Sequence, residues 1–459
     1  MSERKPRRLD SRIRCVLVAN RGEIAVRIIR ACRELGIETV QVYSEADRDT
    51  LAVRLADRSV CIGQPRATDS YLDPLRILSA AVTFGADAIH PGYGFLSEKA
   101  AFARMCEDAG ITFIGPSPQV IDSMGDKAEA RKLAKAAGVP VTPGSGDVVT
   151  SIEDARAIAA GIGYPVLLKA SAGGGGRGMR VVIAAEDIAE AYGQATSEAQ
   201  AAFGDGALYV EKFLPRVRHV EIQVLGDGEH VVHLGERECS TQRRNQKLVE
   251  EAPSPGIDDR CRAAMAEAAV RLCRQVGYAS AGTVEFIVDM ATGQYYFIEM
   301  NTRIQVEHPV TEMVTGIDLV KAQIEIAGGR PLGLTQAQVR TAGHSIECRI
   351  NAESVAQDFA PCPGLVTRCR WPGGPGVRVD AHIHQGDEVP PYYDSLLAKI
   401  VVWGATRDEA IARMRRALDE TVVEGIDTTI GFHRTLLDDP VFRDGDVHTR
   451  YVEEVLLRR

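Results

Sequence analysis

Apolar positions along the chain follow two periods, and the places where they break are as informative as the runs. Near the N-terminus C-V-L-V-A at 15–19, E-T-V-Q-V-Y at 38–43 and A-D-A-I-H at 86–90 each stand near a helical stretch. Strands separated by helices predict a parallel-sheet, Rossmann-like domain over 13–115. A helical connection through Lys135 then leads to V-L-L-K at 166–169 and M-R-V-V-I at 179–183. These read as two strands of a lid covering about 139–210, within a domain expected over 131–328. Further on, T-V-E-F-I-V at 283–288 and Y-Y-F-I at 295–298 flank D-M-A-T-G and should pair as a hairpin. The remainder, 343–451, reads as an α+β unit whose helix opens at A-T-R-D-E-A, with Thr406 and Glu409 forming a capping box. The fold class is α/β and α+β, multidomain.

Five polar residues interrupt this patterning. In E-M-N-T-R-I-Q-V-E-H at 299–308, Glu299, Asn301, Arg303, Gln305 and Glu307 recur at a spacing of two, which in an extended chain puts all five on one face. A solvated edge strand would favour interchangeable Lys, Thr and Glu; two carboxylates, two amides and a guanidinium point to chemistry instead. The midpoint between Glu285 and Glu299 is Thr292 in the turn, so the hairpin should set the two carboxylates opposite each other. Facing carboxylates repel unless a cation lies between them. With the Asn301 oxygen nearby, the ligand set suits Mg²⁺ or Mn²⁺ rather than zinc.

A cation held this way usually carries nucleotide phosphates, and A-S-A-G-G-G-G-R-G-M at 170–179 is a candidate cradle for them. No Lys-Ser or Lys-Thr follows the glycines, and a strand on each side differs from the helix-opening dinucleotide fingerprint. Lys169 reads as a phosphate contact and the loop as a lid over ATP.

Composition narrows the rest. The 459 residues are 45% hydrophobic and 25% charged, and 54 Lys and Arg against 63 Asp and Glu give a net charge of −9. No basic stripe suggests nucleic acid as a partner, and no apolar run approaches the roughly 18 residues of a membrane span. Ten cysteines lie outside any C-x-x-C pair, and Cys15, Cys32 and Cys273 fall in apolar patterns, as reduced thiols of a cytoplasmic protein would. The basic stretch at the N-terminus lacks an apolar core and reads as a frayed tail.

Several longer motifs resemble the biotin carboxylase family of ATP-grasp enzymes: A-N-R-G-E-I-A at 19–25, H-P-G-Y-G-F-L-S-E at 90–98, M-G-D-K at 124–127, Q-R-R-N-Q-K at 242–247, E-C-R-I-N-A-E at 347–353 and P-P-Y-Y-D-S at 390–395. The similarity runs from about 13 to 451. It implies ATP-dependent carboxylation of biotin with bicarbonate through carboxyphosphate, the first half-reaction of acetyl-CoA and related acyl-CoA carboxylases, feeding malonyl-CoA and fatty acid synthesis. By the same resemblance Lys127, Lys169, Gly175 and Gly176 meet phosphate, Glu211, Lys212, Phe213 and Leu214 meet adenine, and His219, Gln242 and Asn245 lie near the nucleotide. Glu285, Glu299 and Asn301 match the ligands of Mg²⁺ or Mn²⁺, with two ions expected. Lys247, Arg303, Gln305 and Val306 match the bicarbonate site, Glu307 the base, and Arg349 the residue that holds biotin. Two departures, Ala172 for the usual glycine and Asn245 where some members have histidine, bear on nucleotide affinity. The implied partners are a biotin carboxyl carrier protein, carboxyltransferase subunits and a second copy of the chain; nothing after Tyr451 resembles a carrier domain, so biotin is expected on another chain or as free biotin.

Other motif residues take plainer readings. His90 and His308 each precede proline and suit turns or core packing. Tyr93 and Glu98 line the active-site mouth or brace a glycine-rich loop, while Asn20, Arg21 and Glu23 occupy a strand-to-helix turn and are weighted as structural. Another ATP-grasp ligase and a non-catalytic carrier-binding paralogue are the competing readings; intact metal and base residues argue against the second.

Overall fold

The three apolar runs near the N-terminus are the strands Cys15–Val18, Glu38–Ser44 and Ala88–His90. With Arg58–Gly63 and Thr112–Phe113 they make a wholly parallel five-stranded sheet in the chain order third, second, first, fourth, fifth. Val16 and Val18 pack on one side with the helix Gly22–Glu34, and Cys15 and Leu17 on the other with residues of Pro74–Phe84 and Ala100–Asp108. Both faces are therefore covered, which is why these strands read as unbroken apolar runs. The computed structural model describes residues 13–171 and 179–458, so the basic N-terminal stretch, Ala172, Gly175 and Gly176 lie outside the described residues.

An antiparallel sheet of eight strands forms the centre. Its order is Tyr295–Asn301, Ala279–Asp289, Val217–Asp227, Val231–Arg243, Gln246–Ala252, His344–Asn351, Leu396–Gly404 and Val377–Ala381. Pairing of Gln246–Ala252 with His344–Asn351 carries this one sheet across the segment 328–343. One face is apolar: Val220, Ile222, Val284 and Phe286 pack beneath the helix Asp259–Gln275, and Ile346, Cys348 and Ile400 beneath Arg407–Glu420. The opposite face carries Glu221, Gln223, Arg237, Glu250, Glu347 and Lys399, all essentially without solvent exposure. The helix His308–Thr315 contacts four strands of that sheet, and Gly22–Glu34 packs on Leu396–Gly404, one of those four, and on Val377–Ala381.

A separate three-stranded antiparallel sheet, Met179–Val182, Val166–Ala170 and Leu208–Lys212, bears the helices Ile152–Ile162 and Ile188–Phe203 and occupies the region expected from the sequence to be a lid. Ten free cysteines are present, with Cys15, Cys32 and Cys273 buried. Among the described residues no helix is long and apolar enough to cross a membrane.

Two local expectations change. The extended row at 299–308 ends at Asn301; Thr302 to Glu307 form an irregular loop, and the helix begins at His308 with Pro309 in its first turn. Ile304 and Gln305 are consecutive and both buried, which a strand with one solvated face does not allow. At Arg407–Glu420, Thr406 caps the helix by accepting from the Glu409 N–H, but the Glu409 carboxylate accepts from Ala405 N–H rather than from Thr406, so only half the capping box forms.

Candidate active site

The hairpin sets the register of the site. Glu285 pairs with Glu299, and a shift in pairing follows at Phe286. Burial and the facing Glu285 push the Glu299 carboxyl above its ordinary range. Glu285 itself, against the cost of burial, is held well below that range by Lys247 and His219, whose Nε2 lies 2.8 Å from it. Two amides also donate to Glu285 Oε1, Asn301 at 2.8 Å and Gln305 at 2.7 Å.

Lys247 stands at the start of Gln246–Ala252, opposite Gln242. Its ammonium donates to three carboxylates: Glu221 at 2.6 Å, Glu285 at 3.1 Å and Glu307 at 2.6 Å. Burial favours the neutral amine, yet these three anions hold Lys247 firmly charged. Glu307, the cap residue before the helix His308–Thr315, also accepts from Arg349 Nη2 at 3.0 Å. Burial would raise its carboxyl; Lys247, Arg349 and Arg237 prevail and hold it far below the usual range. Arg349 Nε donates to Glu250 at 2.6 Å, and burial, partly offset by Arg349, pushes Glu250 up to about 6.

The irregular loop is braced from several sides. Arg303 donates to Glu98 at 2.9 Å and to Asn301 Oδ1 at 2.7 Å, and the Thr302 N–H donates to Glu98 at 3.1 Å. The carbonyl of Val306 accepts from the fully buried Lys399 at 2.7 Å, and Lys399 also lies 3.1 Å from Glu23, to which Tyr93 donates at 2.5 Å. Glu98 thus acts on the site through Arg303. Asn20 ties its amide to the Pro91 and Tyr93 carbonyls at 2.7 Å, and a Cβ on Gly92 would meet that amide at 2.9 Å, so the glycine loop is packed against it. Arg21 pairs with Asp47 through two N–H groups at 2.8 Å. His90 and His308 are fully buried; burial pushes His90 down to about 3, and His308 faces the Gln305 carbonyl at 2.7 Å.

The nucleotide-side residues are more loosely held. Lys127 is exposed at the start of the helix Lys127–Ala136, and Lys169 has its nearest anion, Glu211, at 3.8 Å. Glu211 accepts from Arg131 at 2.8 Å; Lys212 donates to the Gly163 and Tyr164 carbonyls at 3.0 Å. The N–H groups of Lys212 and Phe213 bond the Pro143 and Pro165 carbonyls, so base recognition by Glu211, Lys212, Phe213 and Leu214 through those two donors requires them to be released. Asn245 and Arg244, with φ of 65° and 48°, form the two-residue turn between Val231–Arg243 and Gln246–Ala252, which itself accounts for an asparagine.

A cavity of about 1220 Å³ between all three parts of the chain is lined by Glu23, Tyr93, His219, Gln242, Asn245 and Glu299 among others, with Lys247, Arg303, Gln305, Val306, Glu307 and Arg349 on its wall; Lys127, Lys169 and the stretch Glu211 to Leu214 are not part of its lining. Sequence reasoning missed Glu221, Glu250 and Arg237. Their signal was present: charged and amide residues within largely apolar strands, at alternate positions in V-E-I-Q-V and at consecutive ones in L-G-E-R-E-C and V-E-E-A.

The chain is similar to known proteins over nearly its whole length. Residues 12–121 match the biotin carboxylase N-terminal domain, 126–335 the carbamoyl-phosphate synthase L chain ATP-binding domain, and 347–454 the biotin carboxylase C-terminal domain. A biotin carboxylase of Nostoc sp. is 54% identical over 441 residues, 96% of this chain and 98% of that one. The biotin carboxylase–βγ-ATP complex of Campylobacter jejuni superposes with a TM-score of 0.91 at 48% identity, covering 98% of this chain and 99% of that one. The biotin carboxylase domain of Hydrogenobacter thermophilus 2-oxoglutarate carboxylase, a dimer in complex with MgADP, ADP and bicarbonate, gives 0.90 at 52% identity, covering 97% and 98%. The chain belongs to the biotin carboxylase family, and its reaction is the ATP-dependent carboxylation of biotin.

Proposed function

We propose that the cavity carboxylates biotin in two stages, with bicarbonate held by Lys247, Arg303, Gln305 and the backbone of Val306, and biotin by Arg349. The observation that carries this is Lys247, one buried ammonium shared by three carboxylates of which only Glu307 also touches Arg349. Bicarbonate binding next to Lys247 and Arg303 takes up part of the positive charge that holds Glu307 down. Glu307 therefore becomes more basic as its substrate arrives, which suits a group that removes the bicarbonate proton while a bicarbonate oxygen attacks the γ-phosphorus of ATP and ADP leaves. Carboxyphosphate, the product, is destroyed by water, so the lid has a chemical purpose. Carboxyphosphate decomposes to CO₂ and phosphate next to biotin; the phosphate takes the N1′ proton, the Arg349 guanidinium opposes the charge this builds on the ureido oxygen, and N1′ then bonds to CO₂.

The donor set fits a divalent cation. Glu299, pushed up by burial and by Glu285 across the hairpin, is the carboxyl that gains most from one, and Asn301 supplies an oxygen once Arg303 releases it. Mg²⁺ or Mn²⁺, as one or two ions, would be held by Glu285, Glu299 and Asn301 and would offset charge on the phosphoryl oxygens. Lys127 and Lys169, with Gly175 and Gly176, serve the phosphates; Glu211 to Leu214, His219, Gln242 and Asn245 serve the rest of the nucleotide.

Three working units, 13–115, 131–328 with its lid, and 343–451, act in a homodimer within the cytoplasm. A biotin carboxyl carrier protein brings biotin, and carboxyltransferase subunits take the carboxyl group. The relatives named for biotin carboxylase and for 2-oxoglutarate carboxylase are nearly equally identical to this chain; an acyl-CoA acceptor leading to malonyl-CoA is the reading we favour. Phosphate release and labelled carboxybiotin, measured together with MgATP, bicarbonate and free biotin, test the assignment. Both products should require bicarbonate, and ATP cleavage indifferent to bicarbonate would refute it.

A further inference from the structure

One fully enclosed cation, Arg237, is assigned to none of the proposed substrates. Arg237 has no solvent exposure and lies on the charged face of the eight-stranded sheet. Its five N–H bonds have five acceptors: Nε donates to Glu221 Oε1 at 2.6 Å, Nη1 to Gln223 Oε1 at 2.6 Å and Thr311 Oγ1 at 2.9 Å, and Nη2 to Gln305 Oε1 at 2.7 Å and Thr283 Oγ1 at 3.1 Å. A guanidinium has donors only. The Gln305 amide must therefore turn its oxygen toward Arg237 and its NH₂ the other way, where Nε2 reaches Glu285 Oε1 at 2.7 Å. Flipped, it would set NH₂ against guanidinium and carbonyl against carboxylate, two repulsions in place of two bonds.

We infer that Arg237 is a positioning residue for bicarbonate: it fixes the Gln305 amide so that the NH₂ group, and not the oxygen, faces the anion. The inference rests on the bicarbonate reading of Gln305. Through Glu221, whose other oxygen accepts from Lys247 at 2.6 Å, the same guanidinium also anchors the neighbouring cation. Its contacts come from three elements, Val217–Asp227, Ala279–Asp289 and His308–Thr315, together with the irregular loop, so its planar fork sets the loop's height above the sheet. Lysine in its place keeps a charge for Glu221 but has no fork to reach Gln305 as well.

Steady-state bicarbonate-dependent ATP cleavage by the full chain decides it, with Arg237→Lys, Gln305→Met and the double variant compared. Loss of one well-aligned donor to an anion is worth about 10-fold, so each single change should raise the KM for bicarbonate by about that factor, with the KM for MgATP within about 2-fold. Because both act through one amide, the double variant should be no worse than the worse single one. A rise in both KM values together in Arg237→Lys means general loosening and overturns the inference. So does a double variant whose losses multiply. If Gln305→Met raises the bicarbonate KM and Arg237→Lys does not, the inference alone fails; if Gln305→Met leaves it unchanged, the bicarbonate reading of Gln305 fails first. Should Arg237→Lys not fold, Thr311→Val removes one anchor of the fork in an isosteric way and should raise the bicarbonate KM about 3-fold, with no change overturning the proposal.

Discussion

The residues proposed for bicarbonate and biotin and those proposed for the phosphates are held on opposite plans. At the Lys247 end the cations are largely or fully enclosed and bonded to two or more partners: Lys247 to three carboxylates, Arg349 to Glu250 and Glu307, Arg237 to five acceptors. At the lid end Lys127 is exposed and the Lys169 ammonium stands 3.8 Å from its nearest anion. A small, symmetric anion such as bicarbonate has little surface by which to orient itself, so the protein must hold donors in place beforehand. A triphosphate brings several charges and a large base, and movable lysines under a closing lid suffice to collect them.

The sharpest way to break this contrast is Lys247→Met. It leaves Glu285 and Glu307 in a buried site without their shared cation, and stripping one partner from such a cluster costs about 3–5 kcal/mol of stability. Bicarbonate-dependent ATP cleavage should fall about 10³-fold, since the donor to the anion goes as well. The pH dependence has a definite sign. In the native protein both carboxyls lie below their unfolded values, so they add stability that is present above those values and lost as pH falls through the folded ones. The variant lacks that contribution, so its deficit in thermal unfolding should be greatest above about pH 5 and shrink toward acid. A uniform deficit at all pH values would mean that Lys247 matters for packing rather than charge.

Within the built end, Glu307 and Arg349 should fail differently. Glu307→Gln should lose ATP cleavage and biotin carboxylation together, about 10²-fold, because the proton on bicarbonate then has no acceptor. Arg349→Ser should keep substantial bicarbonate-dependent cleavage while carboxybiotin is lost, as carboxyphosphate forms and decays unused. Phosphate release and labelled carboxybiotin measured in parallel separate them. Equal loss of both products in Arg349→Ser would return Arg349 to the bicarbonate step, through its 3.0 Å contact with Glu307.

How far the sequence discloses this difference follows from geometry. The pairing of Glu285 with Glu299 could be read from the chain because a hairpin is symmetric about its turn and the turn residues are explicit. The loop from Thr302 to Glu307 could not, since spacing of two says strand whether or not the chain continues to pair, and the convergence of Arg303, Gln305 and Glu307 is achieved by a bend. Least visible was the charged underside of the central sheet. Glu221 and Gln223 alternate with valine and isoleucine as in any half-exposed strand, and Arg237 stands between two glutamates; that their face is buried depends on the helix His308–Thr315, which closes over them from more than sixty positions away. The edge strands Arg58–Gly63 and Thr112–Phe113 escaped notice for being half-buried or two residues long.

At the lid end the losses should be smaller and of one kind. Lys169→Met removes the proposed phosphate contact from a partly exposed position whose close anion among the described residues, Glu211, is at 3.8 Å, so thermal unfolding should move by no more than about 1 °C. The KM for MgATP should rise about 10-fold with the bicarbonate KM nearly unchanged. A large fall in stability, or a matching change in the bicarbonate KM, would show the two ends to be one mechanical unit.

The smallest effect lies where the two ends meet, at the turn of Arg244 and Asn245. Resemblance places Asn245 beside the nucleotide, whereas its φ of 65° in a two-residue hairpin turn accounts for the residue by backbone preference. Asn245→Gly keeps the backbone and deletes the side chain. If the turn is what matters, activity and both KM values should stay within about 2-fold, because glycine adopts this conformation at least as readily. Asn245→Val, which resists positive φ, should instead cost about 1–2 kcal/mol and disturb Lys247 two residues on, raising the bicarbonate KM more than that for MgATP. A selective rise in the MgATP KM in Asn245→Gly would make the side chain a nucleotide contact after all, and would extend the preformed part of the site into the half that otherwise waits for the lid.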